Sequence, residues 1–394
     1  MPAPHPLRVA IVRARYNPFG GAERFVQRAL AALAGDGLEV TVVARRWRAP
    51  ADGEASVPMR LLRVDPFHVG SLWRDWSFAR GVHRALVGRH FDIVQSHERI
   101  PGLPVYRAGD GVHAEYLAQR RRTEPAWRAA MTALSPYHRY VLAAERAMFT
   151  HPALRAVICN SEMVRREIHA RFGVPLERLH LVRNGVDLEH FRPPTPLERD
   201  AARATLEIGA DRTVFAYVGS GFARKGLAAA IRALAALGPV PGSTVAPLLL
   251  VAGADRQLEW HRKLAERLGV GPRLRLLGGV EDVRPVLWAA DAFVLPTLYD
   301  PFPNAALEAL ACGLPTVTST RSGAAEFIRE GVNGHVVDAL DVSGLARALR
   351  ALAAPDGRAT RAAAARQSVA GLSLDALGAE LLALYRSLLE SPTP

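Results

Sequence analysis

Apolar residues along this chain alternate between short unbroken runs and longer stretches in which they recur at helical spacing. Such alternation predicts buried parallel strands joined by covering helices. The first run, Leu7-Arg8-Val9-Ala10-Ile11-Val12, reads as a strand. It is followed by the turn Tyr16-Asn17-Pro18-Phe19-Gly20-Gly21 and by a helix whose apolar face holds Phe25, Ala29, Leu30 and Leu33. Further strands are predicted at 40–43, 59–64, 91–95 and 105–109, then, after a long helical segment, at 156–160 and 179–183. Strand, glycine turn, helix is how a doubly wound sheet opens.

Arg192-Pro193-Pro194-Thr195-Pro196 interrupts the pattern as a linker, and a second series begins at 213–218. Strands at 248–252, 274–277, 292–295, 316–319 and 334–337 alternate with helices, including 227–237 and 258–268. With 394 residues the chain has room for two cores. The expected organisation is a first domain over 1–190, a second over 191–371, both α/β, doubly wound and Rossmann-like, with a cleft between them. A last helix over 372–394 is expected to pack across both.

Composition narrows the class of protein. The longest apolar run, 247–254, is far too short to span a bilayer, and no secretory signal is read at the N-terminus. The two cysteines, Cys159 and Cys312, lie in apolar surroundings and form no metal-ligand cluster, which suits a reducing, cytoplasmic location. The formal charge of +12 is uneven: residues 1–190 hold 28 arginines against 18 acidic residues, and the remainder 22 basic against 20 acidic. That asymmetry points to an anionic partner of the first half or to a solvated arginine-rich surface. Lysine occurs only at Lys225 and Lys263, so Lys225, beside Arg224 between glycines, stands out as a compact charge.

Candidate chemistry concentrates where strands end. The Pro-rich turn after the 292–295 strand leads into a helix starting near Asn304, with Asp300 before it and Glu308 inside it. Free N–H groups and the helix dipole make that start a site for a diphosphate, and the carboxylates can accept hydrogen bonds from sugar and ribose hydroxyls. Gly219-Ser220-Gly221-Phe222-Ala223-Arg224-Lys225-Gly226 supplies two cations in a glycine-lined loop. Gly20-Gly21 is a second phosphate candidate, or simply a tight turn.

These motifs together resemble those of the family 4 retaining glycosyltransferases of the GT-B fold. The resemblance runs from Asn17-Pro18-Phe19-Gly20-Gly21-Ala22-Glu23-Arg24 through Asn184-Gly185-Val186-Asp187 and Arg224-Lys225-Gly226 to Asp300–Glu308, Ala311-Cys312-Gly313-Leu314-Pro315 and Glu330-Gly331-Val332-Asn333-Gly334. Arg13 to Gly21, Gly102-Leu103-Pro104-Val105-Tyr106, His113-Ala114-Glu115-Tyr116 and Glu145-Arg146-Ala147-Met148-Phe149 look like the lipopolysaccharide core glucosyltransferases within that family.

The resemblance implies transfer of a hexose from a nucleotide sugar, with retention at the anomeric carbon. It places Glu308 at the ribose hydroxyls and Asp300 near the donor sugar, where relatives carry the longer Glu. The contact at the sugar then falls to Asp300 directly, to a water, or to the backbone of Phe302, Pro303 and Asn304, with Ala305 beside them. Pro303 stands where Gly is common and removes an N–H donor. Ser220 stands where many relatives carry Arg, leaving Arg224 and Lys225, with the Gly21 loop and helix N-termini, to meet the leaving diphosphate. Gly219 opens that loop. No Asp-x-Asp signature occurs, so no metal and no cofactor are expected.

A first-domain polar residue is implied at the anomeric carbon: Asp110 is expected first and His113 second, with His97 as a further candidate. As alternatives, Asp110 caps its helix and the histidines are structural. Glu326 either helps hold the nucleotide or caps a helix. Residues 116–150 interleave Arg120-Arg121-Arg122 with Trp127, Met131, Tyr137, Tyr140 and Phe149, a pattern suited to lipid headgroups, to core packing or to single-stranded nucleic acid.

The expectation is a cytoplasmic enzyme, peripheral on the inner face of the membrane, that moves glucose from UDP-glucose to a lipopolysaccharide core or similar membrane-linked glycan, with no nucleic-acid partner. The rivals are the same fold using GDP-mannose or a UDP-N-acetylhexosamine on another glycan, and a non-catalytic polyanion-binding protein.

Overall fold

A computed structural model describes residues 6–16, 38–47, 59–238, 240 and 245–390. The chain divides into two compact units, residues 1–185 with 374–394, and residues 186–373. Each is built on one parallel sheet.

In the first unit the spatial strand order is Met59–Arg63, Leu38–Ala44, Leu7–Val12, Ile93–Ser96, Val105–Arg107, Ala156–Cys159, Leu179–Leu181. The chain starts in the middle, winds outward to one edge, then returns to the other side of its first strand. The switch point therefore lies between the ends of Leu7–Val12 and Ile93–Ser96, where a doubly wound sheet opens a crevice for ligands. The strands read as continuous apolar runs because both faces are covered. Val9 and Ile11 pack into one cluster with Leu377, Leu381, Leu384, Tyr385 and Leu388 of the helix Leu374–Glu390. Ala10 and Val12 pack on the other face with Phe78 and Val82 of the helix Gly70–Leu86. The Tyr385 hydroxyl donates to Gln95 Oε1 at 2.7 Å, tying the chain's last helix to the fourth strand of this order.

The second unit follows the same plan, in the order Leu274–Gly278, Leu248–Ala252, Val214–Val218, Ala292–Leu295, Thr316–Ser319, Gly334–Val337. Its switch point falls between Val214–Val218 and Ala292–Leu295. Asp291 locks these two strands at their start. Its carboxylate accepts from the Val214 N–H at 2.8 Å, from Arg199 at 2.7 Å and from Arg358 at 2.9 Å.

Two local features differ from the sequence reading. The stretch expected as one long helical segment is three helices, His113–Arg121, Ala126–Leu134 and Pro136–Phe149. Pro125 and Pro136 cause the breaks: proline lacks the N–H that would continue the ladder and is tolerated only at a helix start. Arg15–Tyr16 and Arg46–Trp47 form an additional two-stranded parallel sheet, too short to leave a periodic signal. The helix expected after Gly21 lies outside the described residues.

Candidate functional site

The carboxyl edge of the second unit brings two loops together. Gly219 leaves the strand Val214–Val218 with φ +152, and a Cβ there would stand 2.7 Å from Lys225 Cδ. The lysine stem crosses this position, which only glycine leaves open. After the short helix Phe222–Lys225 the chain turns at Gly226 with φ +76, where a Cβ would meet the Pro296 carbonyl oxygen at 1.9 Å. That close approach joins the loop to the 296–303 turn. Leu298 N–H and Thr297 Oγ1 both donate to the Arg224 carbonyl, at 2.8 and 3.1 Å.

Arg224 and Lys225 converge on Asp300. Its carboxylate, buried with 6% residue exposure, lies 3.1 Å from Arg224 Nη1 and 3.6 Å from Lys225 Nζ. Arg224 Nη1 also donates to the Tyr299 carbonyl at 2.9 Å. The Asp300 backbone is clamped: its N–H donates to the Arg321 carbonyl at 3.0 Å, and its carbonyl accepts from the Gly323 N–H at 2.9 Å. The sequence reading assigned Asp300 to the donor sugar and the two cations to the diphosphate as separate groups. In this structure they form one ion cluster, because the 296–303 turn brings the Asp300 carboxylate against the cations of the 219–226 loop.

The helix Asn304–Ala311 begins beside this cluster. Its N-cap is Pro303, with no side-chain cap, and the Pro303 carbonyl accepts from Ala306 N–H at 3.0 Å. Asn304 and Glu308 are half-buried, Phe302 and Ala305 buried, and Phe302 meets the Phe327 ring edge-on at 5.9 Å. Ser220 Oγ accepts from the Ala254 N–H at 3.3 Å. The Phe222 N–H already donates to Asp255 at 2.8 Å, so part of the glycine loop's donor capacity is spent internally. Glu326 is exposed in the 3-10 turn Gly323–Phe327, whose N-cap position is Ser322, with no side-chain cap. Gly20 and Gly21 lie outside the described residues.

In the first unit a cavity of about 410 Å³ opens at the switch point. Arg13 and Glu98 flank it from just beyond the two strand ends. Arg74 and Asp75 come from the helix Gly70–Leu86, and Tyr137 and Tyr140 from the helix Pro136–Phe149. Asp110 and His113 line it. Arg13 Nη1 stands 3.6 Å from Asp110 Oδ2 and 3.8 Å from Glu98 Oε1. Burial raises the Glu98 carboxyl above its ordinary value, against the opposing pull of Arg13 and the Ala14 N–H.

The turn between Asp110 and His113 is held by a buried carboxylate. Glu145 accepts from the His113 N–H at 2.8 Å and from Arg99 Nε at 2.9 Å, and Arg99 Nη2 reaches the Gly111 carbonyl at 2.9 Å. The His113 ring meets His138 at 3.1 Å. Burial, then Arg99 and His138, lowers the His113 pKa to about 3, so the ring is neutral near pH 7. His97 is not among the cavity-lining residues. It is buried, 2.8 Å from Gln95 Nε2, and burial followed by Arg107 and Arg13 pulls its pKa well below 6.5.

Sequence reasoning did not single out Glu98 and Arg99. A signal was present, since both follow directly on the switch-point strand end. The large apolar and aromatic residues of 116–150 divide three ways. Met148 and Phe149 are core, with Phe149 stacked on Phe172 at 4.5 Å; Tyr137 and Tyr140 line the cavity; Trp127, Met131 and Leu134 are exposed. Phe67, Trp73 and Trp76 are exposed as well. Among the described residues no helix is long and apolar enough to cross a membrane, and no group of three or more His, Cys, Asp or Glu side chains could hold a metal ion.

The chain matches Glycosyltransferase Family 4 over residues 19–190 and Glycosyl transferases group 1 over residues 212–354. It is 27% identical to the lipopolysaccharide glucosyltransferase WaaG of Escherichia coli (strain K12), over 84% of each chain. It is 28% identical to the D-inositol 3-phosphate glycosyltransferase of Xylanimonas cellulosilytica, over 98% of each chain. With the glycogen synthase of Mycobacterium tuberculosis it shares 30% identity over 388 residues, 92% of this chain and 90% of the relative. The crystal structure of WaaG, a glycosyltransferase involved in lipopolysaccharide biosynthesis, superposes with a TM-score of 0.80 at 26% identity, covering 96% of this chain and 99% of that one. With its two parallel α/β sheets and motifs in both halves, the chain belongs to family 4 of the glycosyltransferases and carries the two Rossmann-like domains of the GT-B fold.

Proposed function

We propose that this glycosyltransferase moves a hexose from a nucleotide diphosphate sugar, with UDP-glucose as the donor, to a lipopolysaccharide core or similar membrane-linked glycan. The observation that carries the donor half is the cluster of Arg224, Lys225 and Asp300 beside the open start of the Asn304–Ala311 helix. Cations beside a helix N-terminus suit a diphosphate. Glu308, one turn into that helix, is suited to the ribose hydroxyls.

On this reading Asp300 keeps the two cations oriented and offsets one of their two positive charges until the diphosphate arrives. Negative charge developing on the leaving group is then met by Arg224 and Lys225, in a position fixed beforehand, and no metal is needed. The acceptor oxygen attacks from the face the leaving group departs from, a donor phosphate oxygen takes its proton, and configuration is retained. The acceptor lies in the first-unit cavity, with Asp110 foremost and His113 next among the residues directed to the anomeric carbon. His97, buried against Gln95, serves as support. The domains follow the two units, with the 374–390 helix belonging to the acceptor domain.

Exposed Trp76 with Arg80 4.9 Å over its ring, exposed Trp127 with Arg128 at 5.0 Å, and Phe67, Met131 and Leu134 supply aromatic and cationic groups for an anionic inner-leaflet surface. This supports an enzyme peripheral on the inner face of the membrane. The varied substrates named in the relatives keep GDP-mannose and UDP-N-acetylhexosamine as rival donors.

Turnover of a panel of nucleotide sugars by the wild type, Lys225→Ala and Glu308→Ala tests the proposal. UDP-glucose turnover should fall by about 100-fold or more in each variant, the loss typical of a transition-state charge contact, and should survive a chelator. Both variants retaining full turnover would contradict the catalytic reading.

A further inference from the structure

The first-unit cavity is lined by four guanidiniums, those of Arg13, Arg45, Arg74 and Arg99, a set that looks made for a phosphate. Their partners say otherwise. Arg45, 4% exposed, is held by Asp65 at 3.1 Å and by the carbonyls of Arg74 and Pro66. Arg74 Nε donates to Asp75 at 2.7 Å. Arg99 is spent on Glu145 and the Gly111 carbonyl. Arg13 is shared between Glu98 and Asp110. Among the described residues each arginine at this cavity therefore has a carboxylate of its own, and Asp75, Glu98 and Asp110 themselves face the space.

We propose that this cavity selects an uncharged, hydroxyl-rich sugar unit of the acceptor and discriminates against a phosphorylated one. The inference rests on the acceptor reading above and names the substrate class of that site. A neutral sugar can donate hydroxyl protons to Asp75, Glu98 and Asp110, accept from Arg74, and lay its C–H face on Tyr137 or Tyr140. A phosphate dianion would sit against three carboxylates and would have to break ion pairs to gain a partner, which is discrimination by repulsion. The net +10 of residues 1–190 is thus not concentrated here.

The test is calorimetric titration of the full chain, with UDP present, using a neutral hexose disaccharide, its monophosphate and inorganic phosphate as probes. The expected result is about tenfold or greater preference for the neutral sugar, no displacement of it by inorganic phosphate, and a gain in affinity for the monophosphate in Asp75→Asn, where Arg74 loses its counter-charge. Equal or tighter binding of the monophosphate by the wild type, or displacement by inorganic phosphate, overturns the inference while leaving the acceptor assignment standing. A Tyr140→Trp variant, which narrows the cavity, separates the two ideas. If it binds the neutral sugar as the wild type does, the acceptor assignment fails and this inference with it.

Discussion

Asp300 shows how one carboxylate ties two loops: it lies against Arg224 and Lys225. Asp300→Asn strands two partly buried cations. It should lower stability by about 1–3 kcal/mol, less than a fully buried pair because Arg224 is 37% exposed. If the diphosphate competes with Asp300 for these cations, the variant should bind UDP more tightly than the wild type while turning over more slowly. Calorimetry and steady-state kinetics read the two effects separately. His97 and His113 give a pH signature. Both have folded pKa values depressed below 6.5, so in the window beneath 6.5 the unfolded chain binds protons that the folded chain refuses. Stability is then lost as pH falls. The melting temperature should drop between pH 6.5 and 5, above most carboxylate titrations, and the slope should flatten in His113→Asn; an unchanged slope would mean that His113 titrates normally. From sequence, these two histidines were bare candidates, since ring environment depends on neighbours as remote as Arg107 and His138.

The two sheets were legible almost strand for strand, because strands buried on both faces write themselves as unbroken apolar runs such as Leu248–Ala252 and Ala292–Leu295. Their ends were legible too, which is why the 219–226 and 300–308 loops stood out. What escaped notice depends on side-chain partners between distant segments: the Asp300 cluster, and Glu145 reaching back to pin the turn before the helix His113–Arg121. At this scale Gly226 is the sharpest test of how the donor loop is built. Gly226→Ala places a methyl against the Pro296 carbonyl at a left-handed backbone angle, and it should cost about 2 kcal/mol or more. Because the same turn carries Lys225, chemical denaturation and nucleotide affinity should both suffer. Glu145→Gln should cost about 3 kcal/mol, by leaving the Arg99 guanidinium without its buried counter-charge. A loss well below 1 kcal/mol would mean that water replaces it.

Across the whole chain, the last helix returns to the unit in which the chain began. The sequence reading expected it to pack across both domains; its apolar face, Leu377 to Leu388, is part of the first unit's core. No periodicity in residues 374–390 could say which apolar surface would receive it. Truncation after Ser373 should therefore expose amides of the first sheet to exchange while the second unit keeps its protection. At the same scale, the central claim is that the second unit grips the nucleotide sugar through residues 219–226 and 300–308. Amide hydrogen exchange of the intact protein with and without UDP-glucose tests it most directly. The account requires slowed exchange in those two segments on addition of the sugar nucleotide; protection appearing elsewhere, with both segments unchanged, would contradict it.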